Sequence, residues 1–158
     1  MTPGMRITHL DPPEIKQLLP QLQAINENGG STTFDFLDGT DIFACFENDH
    51  LLGYGGVACY DGQWTLRNCV VAPAGRGRGI QRLLIEARKE HVRSAGGSNL
   101  GAGIHPENRQ SLANAIACGF VRKEGADRTF HGITYWWMVC DLEAKTLPAQ
   151  CCAVSRGT

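Results

Sequence analysis

The sequence has 158 residues, of which 42% are hydrophobic, and this length suits one compact domain with a sizeable core. With 15 Lys and Arg against 16 Asp and Glu, the formal net charge is −1, so no global positive field would draw the chain to nucleic acid or to an anionic membrane. No apolar run approaches the roughly 20 residues of a membrane span, and the amino terminus lacks an apolar signal-peptide core, so we expect a cytoplasmic protein.

The first elements predicted along the chain are a short strand at residues 5–10 and an amphipathic helix. Asp11-Pro12-Pro13-Glu14 is typical of a helix start, and apolar residues then recur at helical spacing until Asn28-Gly29-Gly30. The apolar residues within 31–39 have no clear periodic spacing, so this segment is interpreted as a loop or short helix. Strands at 41–47, 51–60 and 63–72 follow, and the short polar segments between them predict an antiparallel meander.

The second half of the chain alternates helices and strands. A helix begins at Ile80 with the apolar stripe Ile80, Leu83, Leu84 and Ala87, and Arg82, Glu86, Lys89 and Glu90 fall largely outside that stripe. A strand at 99–104, a helix from about 106 to 119 and strands at 120–123 and 133–142 follow, the last two joined by a polar loop at 124–132. Because a helical crossover joins strands 63–72 and 99–104, we expect these two to be parallel.

The element order predicts an α/β (α+β) fold in which a mixed, mostly antiparallel sheet of six to seven strands has helices on both faces. Residues 1–143 should form the domain, and residues 144–158 a flexible C-terminal tail.

The seven cysteines include no Cys-x2-Cys pair that would start a zinc site, and we expect no bound metal. Cys45, Cys59, Cys69 and Cys140 lie in apolar, strand-like runs and are interpreted as small buried hydrophobic residues in a reducing compartment. Cys151-Cys152 falls in the polar tail, where adjacent thiols are an oxidation liability.

The segment from Cys69 to Gln81 has the character of an anion site. It is a strand, a turn containing Gly75, Gly77 and Gly79, and a helix start, so backbone amides and the helix dipole would present partial positive charge to a phosphate. Arg76 and Arg78 add planar donors. Taken alone, this spacing leaves phosphate binding and a purely structural turn equally open. It is neither a Walker loop nor the dinucleotide fingerprint.

Two motifs give a specific resemblance. The pattern Val71-x-Pro73-x-x-Arg76-Gly77-x-Gly79-Ile80 resembles the acetyl-CoA motif of the GNAT N-acetyltransferase superfamily. About thirty residues later, Asn108-x-x-Ser111 and Gly119-Phe120 resemble a second element of the same superfamily. The resemblance covers roughly residues 5–142, and the predicted order of elements agrees with it.

The resemblance implies an acetyl-CoA-dependent N-acetyltransferase that acylates an amine of a small molecule or peptide directly, without an acyl-enzyme. The backbone of Cys69, Val70 and Val71 would pair with the pantetheine arm, and one of these amides would polarise the thioester carbonyl. Asn108 would bond the same arm, and Ser111 belongs to the same element. The pyrophosphate would lie on the amides of Arg76, Gly77, Arg78, Gly79, Ile80 and Gln81.

Four positions depart from the family pattern. Gln81 stands where the family prefers Gly or Ala; because the phosphate contact is through the backbone N–H, its long side chain can turn outward and the departure is tolerated. Ala115 stands where many relatives have a Tyr acid, Gly103 where some have a Glu, and Thr65 roughly where another Glu is frequent. Three familiar proton-handling positions are therefore empty, so the mechanism would rely mainly on proximity and a polarised carbonyl.

The remaining site candidates carry titratable or aromatic side chains. His105 is the first candidate base, since it follows a strand three residues before Asn108 and imidazole titrates near neutral pH; a capping or surface role is the alternative. Glu47 and Tyr135 are further candidates, Tyr135 with a packed strand residue as its alternative. By resemblance the acceptor pocket would involve Phe34, Asp35, Phe36 and Asp38, where acids beside aromatic rings suit a cationic amine.

Rival functions remain open at this point. A non-catalytic CoA-binding or acyl-sensing module would have the same fold, and a nucleotide binder could use the same turn. Nucleic acid binding is poorly supported, because the basic residues cluster only at the glycine turn. A homodimer through the Trp136-Trp137-Met138 strand is a further hypothesis.

Overall fold

The structure is a computed structural model, and it describes residues 2–28 and 39–143. It begins with β1 (Met5–Leu10) and α1 (Pro12–Asn28). The predicted helix start is confirmed, because Asp11 Oδ1 accepts from the Glu14 amide at 2.9 Å while Glu14 Oε1 accepts from the Asp11 amide at 3.2 Å. Of the predicted loop at 31–39, all but the last residue lies outside the described part of the chain, as does the predicted tail.

The other elements are seven strands, two helices and one 3-10 turn. The strands are β2 (Thr40–Glu47), β3 (His50–Tyr60), β4 (Gln63–Val71), β5 (Asn99–Ile104), β6 (Val121–Arg122), β7 (Arg128–Phe130) and β8 (Ile133–Asp141). The 3-10 turn is Pro73–Gly75, and the helices are α2 (Ile80–Ser94) and α3 (Arg109–Ala117).

The strands form one mixed sheet in the order β1-β2-β3-β4-β5-β8-β6, with β7 also paired to β8. Strands β1 to β4 are antiparallel neighbours, which confirms the meander, and β4 lies parallel to β5, which confirms the crossover through α2. The predicted α/β fold class is therefore confirmed.

The predicted number of strands, six to seven, was too low. The sheet has eight, because the polar loop at 124–132 contains β7. This strand forms a hairpin with β8 across His131 and Gly132, which have φ values of 49° and 78°. All three β7 residues are exposed, so no alternating apolar pattern marks the strand in the sequence.

Burial differs from the sequence pattern at two residues, and at Cys59 the prediction was wrong. Cys59 is exposed, because it lies near the end of β3 beyond the packed part of the sheet. Lys89 is buried, because its Nζ donates at 2.7 Å to the Cys118 carbonyl at the end of α3 and at 2.9 Å to Glu86. Lys89 therefore lies on the side of α2 that faces α3 and not on the side that faces solvent.

The sheet has a hydrophobic layer on each face. On one face α1 covers a small cluster that includes Leu22, Ile42 and Tyr54, whose hydroxyl donates to Asn26 Oδ1 at 2.7 Å. On the other face α2 and α3 cover the larger cluster, which includes Leu84 and Phe120. Within the described ranges, no helix combines the length and the apolar composition that a membrane span requires.

Candidate functional site

The candidate site is a gap between the parallel strands β4 and β5. In the described sheet these strands pair at one position, Thr65 with Gly101, and a cavity of about 250 Å³ lies along the separated parts of the strands and against α2 and α3. The residues lining it include Asn68, Cys69, Arg88, His105, Asn108 and Tyr135. A separation of this kind follows a strand-helix crossover and leaves backbone groups of β4 without a partner strand.

A bulge in β4 lies at this gap. Gly55 of β3 pairs with Cys69 but the next residue, Gly56, pairs with Arg67, so Asn68 is the extra residue on β4. Bulges interrupt the ladder and turn backbone groups away from the neighbouring strand. Asn68 lines the cavity, and the bulge therefore exposes main-chain groups of β4 where a ligand would enter.

The glycine turn after β4 is open to a ligand. Gly77 and Gly79 have φ values of 74° and 75°, and a Cβ added at either would meet no atom within 4 Å. No side chain caps the α2 N-terminus at Gly79, so the first-turn amides of α2 remain available to an anion. The Arg76 amide donates to the Pro73 carbonyl at 3.3 Å, so the available amides begin at Gly77. This cradle fits a pyrophosphate.

The Arg78 side chain of this turn is engaged by other residues of the protein. Its guanidinium forms an ion pair with Glu47 at the end of β2, and its Nη2 donates to Thr2 Oγ1 at 3.0 Å. The Arg78 guanidinium also holds the pKa of Glu47 below its ordinary range. Glu47 therefore stabilises the turn through its ion pair with Arg78. It is not among the residues that line the cavity with His105 and Tyr135.

Gln81 joins α2 to α3 at the rim of the cavity, so its side chain does not turn outward. Its Nε2 donates to Ser111 Oγ at 3.1 Å, and its Oε1 accepts from the Asn114 side chain. Asn108 is the N-cap of α3, where its Oδ1 accepts from the Ser111 amide at 3.2 Å. Its Nδ2 group is then the part of the side chain that can donate to a ligand.

His105 and Tyr135 meet at the cavity, their ring centroids 6.0 Å apart in an edge-on arrangement. The Glu107 amide donates to His105 Nδ1 at 3.1 Å. Because Nδ1 is the acceptor, the neutral ring carries its proton on Nε2. In this tautomer Nε2–H can donate a hydrogen bond to a ligand, and the predicted role of His105 as a base stays a prediction.

The remaining sequence-predicted residues have separate places. Cys69 lines the cavity, while the side chains of Val70 and Val71 pack on opposite faces of the sheet and Ile80 is buried in the core, so these three can offer only backbone groups. Ala115 and Gly103, two of the positions without a proton-handling group, also line the cavity. The acceptor candidates Phe34, Asp35, Phe36 and Asp38 lie outside the described residues.

Sequence reasoning missed several residues of the cavity, among them the polar residues Arg67, Asn68 and Arg88. No local signal marks the bulge at Asn68. Arg88 did leave a signal, since it follows Ile80 and Leu84 at four-residue intervals and so places a charge on the buried stripe of α2. Within residues 2–28 and 39–143, no group of three or more His, Cys, Asp or Glu side chains is arranged to hold a metal ion.

Solved structures of acetyltransferases have the same fold. The ribosomal-protein-S18-alanine N-acetyltransferase from Escherichia coli matches with a TM-score of 0.70 and 17% identity, over 87% of this chain and 94% of that one. Mutant forms of the spermidine/spermine N-acetyltransferase SpeG from Vibrio cholerae match with a TM-score of 0.74 and 12% identity, over 94% and 99% of the two chains. A GNAT family acetyltransferase from Elizabethkingia anophelis with acetyl-CoA bound matches with a TM-score of 0.63 and 14% identity, over 89% and 99%.

Sequence comparison gives the family directly. No curated protein sequence matches this chain significantly. The sequence profile of the acetyltransferase (GNAT) family, in contrast, matches residues 10–120, which is more than half of the chain and includes the glycine turn, the gap between β4 and β5, and α3. This chain therefore belongs to the GNAT acetyltransferase family.

Proposed function

We propose that this protein is an N-acetyltransferase that moves an acetyl group from acetyl-CoA directly to an amine of a small molecule or peptide. One observation carries the proposal: the open amides at Gly77 to Gln81 adjoin the gap between β4 and β5, since Gln81 lies in the first turn of α2 and also lines the cavity. Phosphates and a thioester arm need these two features side by side.

The residues that would hold acetyl-CoA follow from that arrangement. The amides from Gly77 to Gln81 would bind the pyrophosphate, and the backbone of β4 around Cys69 would pair with the pantetheine arm. The bulge at Asn68 supports a main-chain donor to the thioester carbonyl, which is the oxyanion role. The Nδ2 group of Asn108 would donate to a carbonyl of the arm. Acetyl-CoA supplies the activated acetyl group as co-substrate.

The acceptor is proposed only as a class. Two of the compared enzymes are named for amine-bearing acceptors, spermidine and the alanine of a ribosomal protein. An acceptor here would approach His105 and Tyr135, whose rings lie at the cavity. The Nε2–H of His105 is then a donor to negative charge that develops during transfer. Participation of Phe34, Asp35, Phe36 and Asp38 in the acceptor pocket stays a prediction.

A non-catalytic CoA-binding or acyl-sensing module is the second candidate. The observation that favours it is the chemistry of Ala115 and Gly103, which line the cavity without any group that can transfer a proton. Such a module would bind acetyl-CoA at the same amides but would release no thiol when an amine is added.

Turnover distinguishes the two candidates. The purified chain is incubated with acetyl-CoA and a panel of polyamines, aminoglycosides and peptides with free amino termini, and released thiol is measured against a reaction without amine. We expect thiol release that depends on at least one amine class and saturates with its concentration. Tight binding of acetyl-CoA with no amine-dependent release from any class would favour the sensing module.

A further inference from the structure

Arg88 is a buried charge beside the cavity. Arg88 is only 1% exposed, yet it lines the cavity between β4 and β5. From α2 the guanidinium reaches the β3–β4 bulge, where Nη1 donates to the Gly56 carbonyl at 2.9 Å and to the Arg67 carbonyl at 3.3 Å. Arg67 directly precedes the bulged residue Asn68, so the charge lies against the backbone that would face the thioester.

The positive charge of Arg88 is not neutralised by the described residues. None of their carboxylates forms an ion pair with it, its main-chain partners are neutral carbonyls, and its side-chain partner is the Cys69 thiol. Burial raises the pKa of the neighbouring Cys69 thiol, although Arg88 opposes the rise, so Cys69 stays uncharged at neutral pH. A buried charge without a counter-charge is costly, which makes a ligand anion at this place favourable.

The proposed reaction produces such an anion. The amine nitrogen attacks the thioester carbonyl carbon, the C–N bond forms as the C–S bond breaks, and the electron pair of the C–S bond leaves on sulfur while the ammonium proton passes to solvent or a base. With Ala115 at the position where a donor to that sulfur would be expected, the departing thiolate has no side-chain acid on α3.

We propose that the buried guanidinium of Arg88 stabilises the CoA thiolate electrostatically and so replaces the missing acid at position 115. This inference rests on the proposed function. A buried positive charge acts on nearby negative charge through a low effective dielectric, and it requires no proton transfer. Arg88 thus acts on the thiolate through space, and a main-chain donor at the bulge would hold the carbonyl.

Other titratable or charged groups face the same cavity and must be separated from Arg88. They are Arg67 and Cys69 from β4, His105 after β5 and Tyr135 from β8, while the α3 lining is uncharged at Asn108, Ser111 and Ala115. Of the two arginines, Arg67 donates to the Tyr60 hydroxyl, and its guanidinium lies over the Tyr60 ring.

Equilibrium binding of CoA and desulfo-CoA tests the proposal without turnover. Dissociation constants of both are measured by calorimetry from about pH 6 to about pH 9, a range that brackets a thiol pKa of about 8.5. We expect CoA to gain about tenfold in affinity over desulfo-CoA as pH rises in the wild type, because only CoA can bind as a thiolate. Ultraviolet absorbance of the thiolate in the complex should show the pKa of the bound CoA thiol shifted down.

Three variants test whether Arg88 causes the gain in CoA affinity at high pH. Arg88→Met should abolish the gain, because the uncharged cavity disfavours a thiolate, and the affinity of CoA relative to desulfo-CoA should then stay level or fall as pH rises. Arg88→Lys keeps a charge and should retain part of the gain. Arg67→Met removes the other arginine that lines the cavity, whose guanidinium lies over the Tyr60 ring, and should retain all of it. A gain in Arg88→Met equal to that of the wild type would overturn the proposal and leave Arg88 as a clamp on the bulge.

If Arg88→Met does not fold, the pH dependence of the two affinities in the wild type still tests the proposal. An affinity ratio between CoA and desulfo-CoA that stays constant with pH would overturn the proposal while leaving the proposed function intact. Failure of both ligands to bind would overturn both.

Discussion

A Cβ atom at Gly55 would lie 2.7 Å from Cζ of Arg88, so the buried guanidinium occupies the space that any side chain at position 55 would fill. The two residues lie on adjacent layers, Gly55 on β3 and Arg88 on α2, and the contact falls at the bulge of β4. The glycine is therefore needed for the close approach of a side chain and not for its backbone conformation.

Gly55→Ala tests that contact. The methyl group would push the guanidinium away from the Gly56 and Arg67 carbonyls, and we expect a loss of about 1–3 kcal/mol in the free energy of unfolding. Urea denaturation measures it. In the Arg88→Met background the same substitution should cost clearly less, because a flexible side chain without hydrogen bonds can move aside. Equal costs in both backgrounds would contradict the contact.

Gly101→Ala tests the point where β4 and β5 separate. A Cβ at Gly101 would lie 2.1 Å from Cζ2 of the buried Trp137, so the ring or the strand must shift. We expect a loss of about 1–3 kcal/mol in unfolding free energy and a higher KM for acetyl-CoA. Gly103→Ala is the matched control on the same strand, since its Cβ would meet Tyr135 Cβ at an ordinary 3.6 Å. Similar stability losses in the two variants would count against the packing described.

Gly79→Glu tests the pyrophosphate cradle. The carboxylate would enter the region of the open amides, so acetyl-CoA should bind at least about tenfold more weakly than to Gly79→Gln. Gly79→Gln is the proper control, because both variants place a side chain of the same length at a φ of +75° and share its backbone strain. Equal acetyl-CoA affinities of the two variants, measured by calorimetry, would contradict the assignment of the phosphate site.

His105→Asn and His105→Ala separate proton handling from positioning. An Asn oxygen can still accept from the Glu107 amide, as Nδ1 does, but it lacks the Nε2–H group. If His105 handles a proton, both variants should lower kcat by about 100-fold or more and leave the KM for acetyl-CoA within about twofold. Recovery of wild-type kcat in His105→Asn would show that the residue only holds the loop before α3.

The pair of Glu47 and Arg78 predicts a specific acid sensitivity. The pKa of Glu47 is lowered in the folded protein, chiefly by the Arg78 hydrogen bond, so its contribution to stability is present above the ordinary value of 4.5 and is lost as pH falls through the lower folded-state pKa. Glu47→Gln should therefore lessen the fall in the urea midpoint below pH 4.5. Glu124→Gln, which removes a charge from an exposed loop, is the control and should not change it.

Much of the fold was predictable because its elements are local patterns. The capping box of Asp11 and Glu14 and the apolar stripe starting at Ile80 each act within a few residues, and the structure has helices at both places. The strand β7 was missed because its three exposed residues depend on pairing with β8, which is a tertiary interaction.

The candidate site was predictable in part for the same reason. The glycine turn and the Asn108 cap are sequence motifs, so their positions could be read directly. The direction of the Gln81 side chain depends on Ser111 and Asn114, about thirty residues away, and the contact of Arg88 with the bulge depends on strand register. Such interactions between distant segments leave no local pattern in the chain.

A crystal structure with acetyl-CoA bound would test whether the gap between β4 and β5 is the acetyl-CoA site. We expect the pyrophosphate on the main-chain amides between Gly77 and Gln81, with the thioester in the gap beside Cys69. Clear density for acetyl-CoA at another surface, or a gap that stays empty at saturating acetyl-CoA, would contradict this assignment.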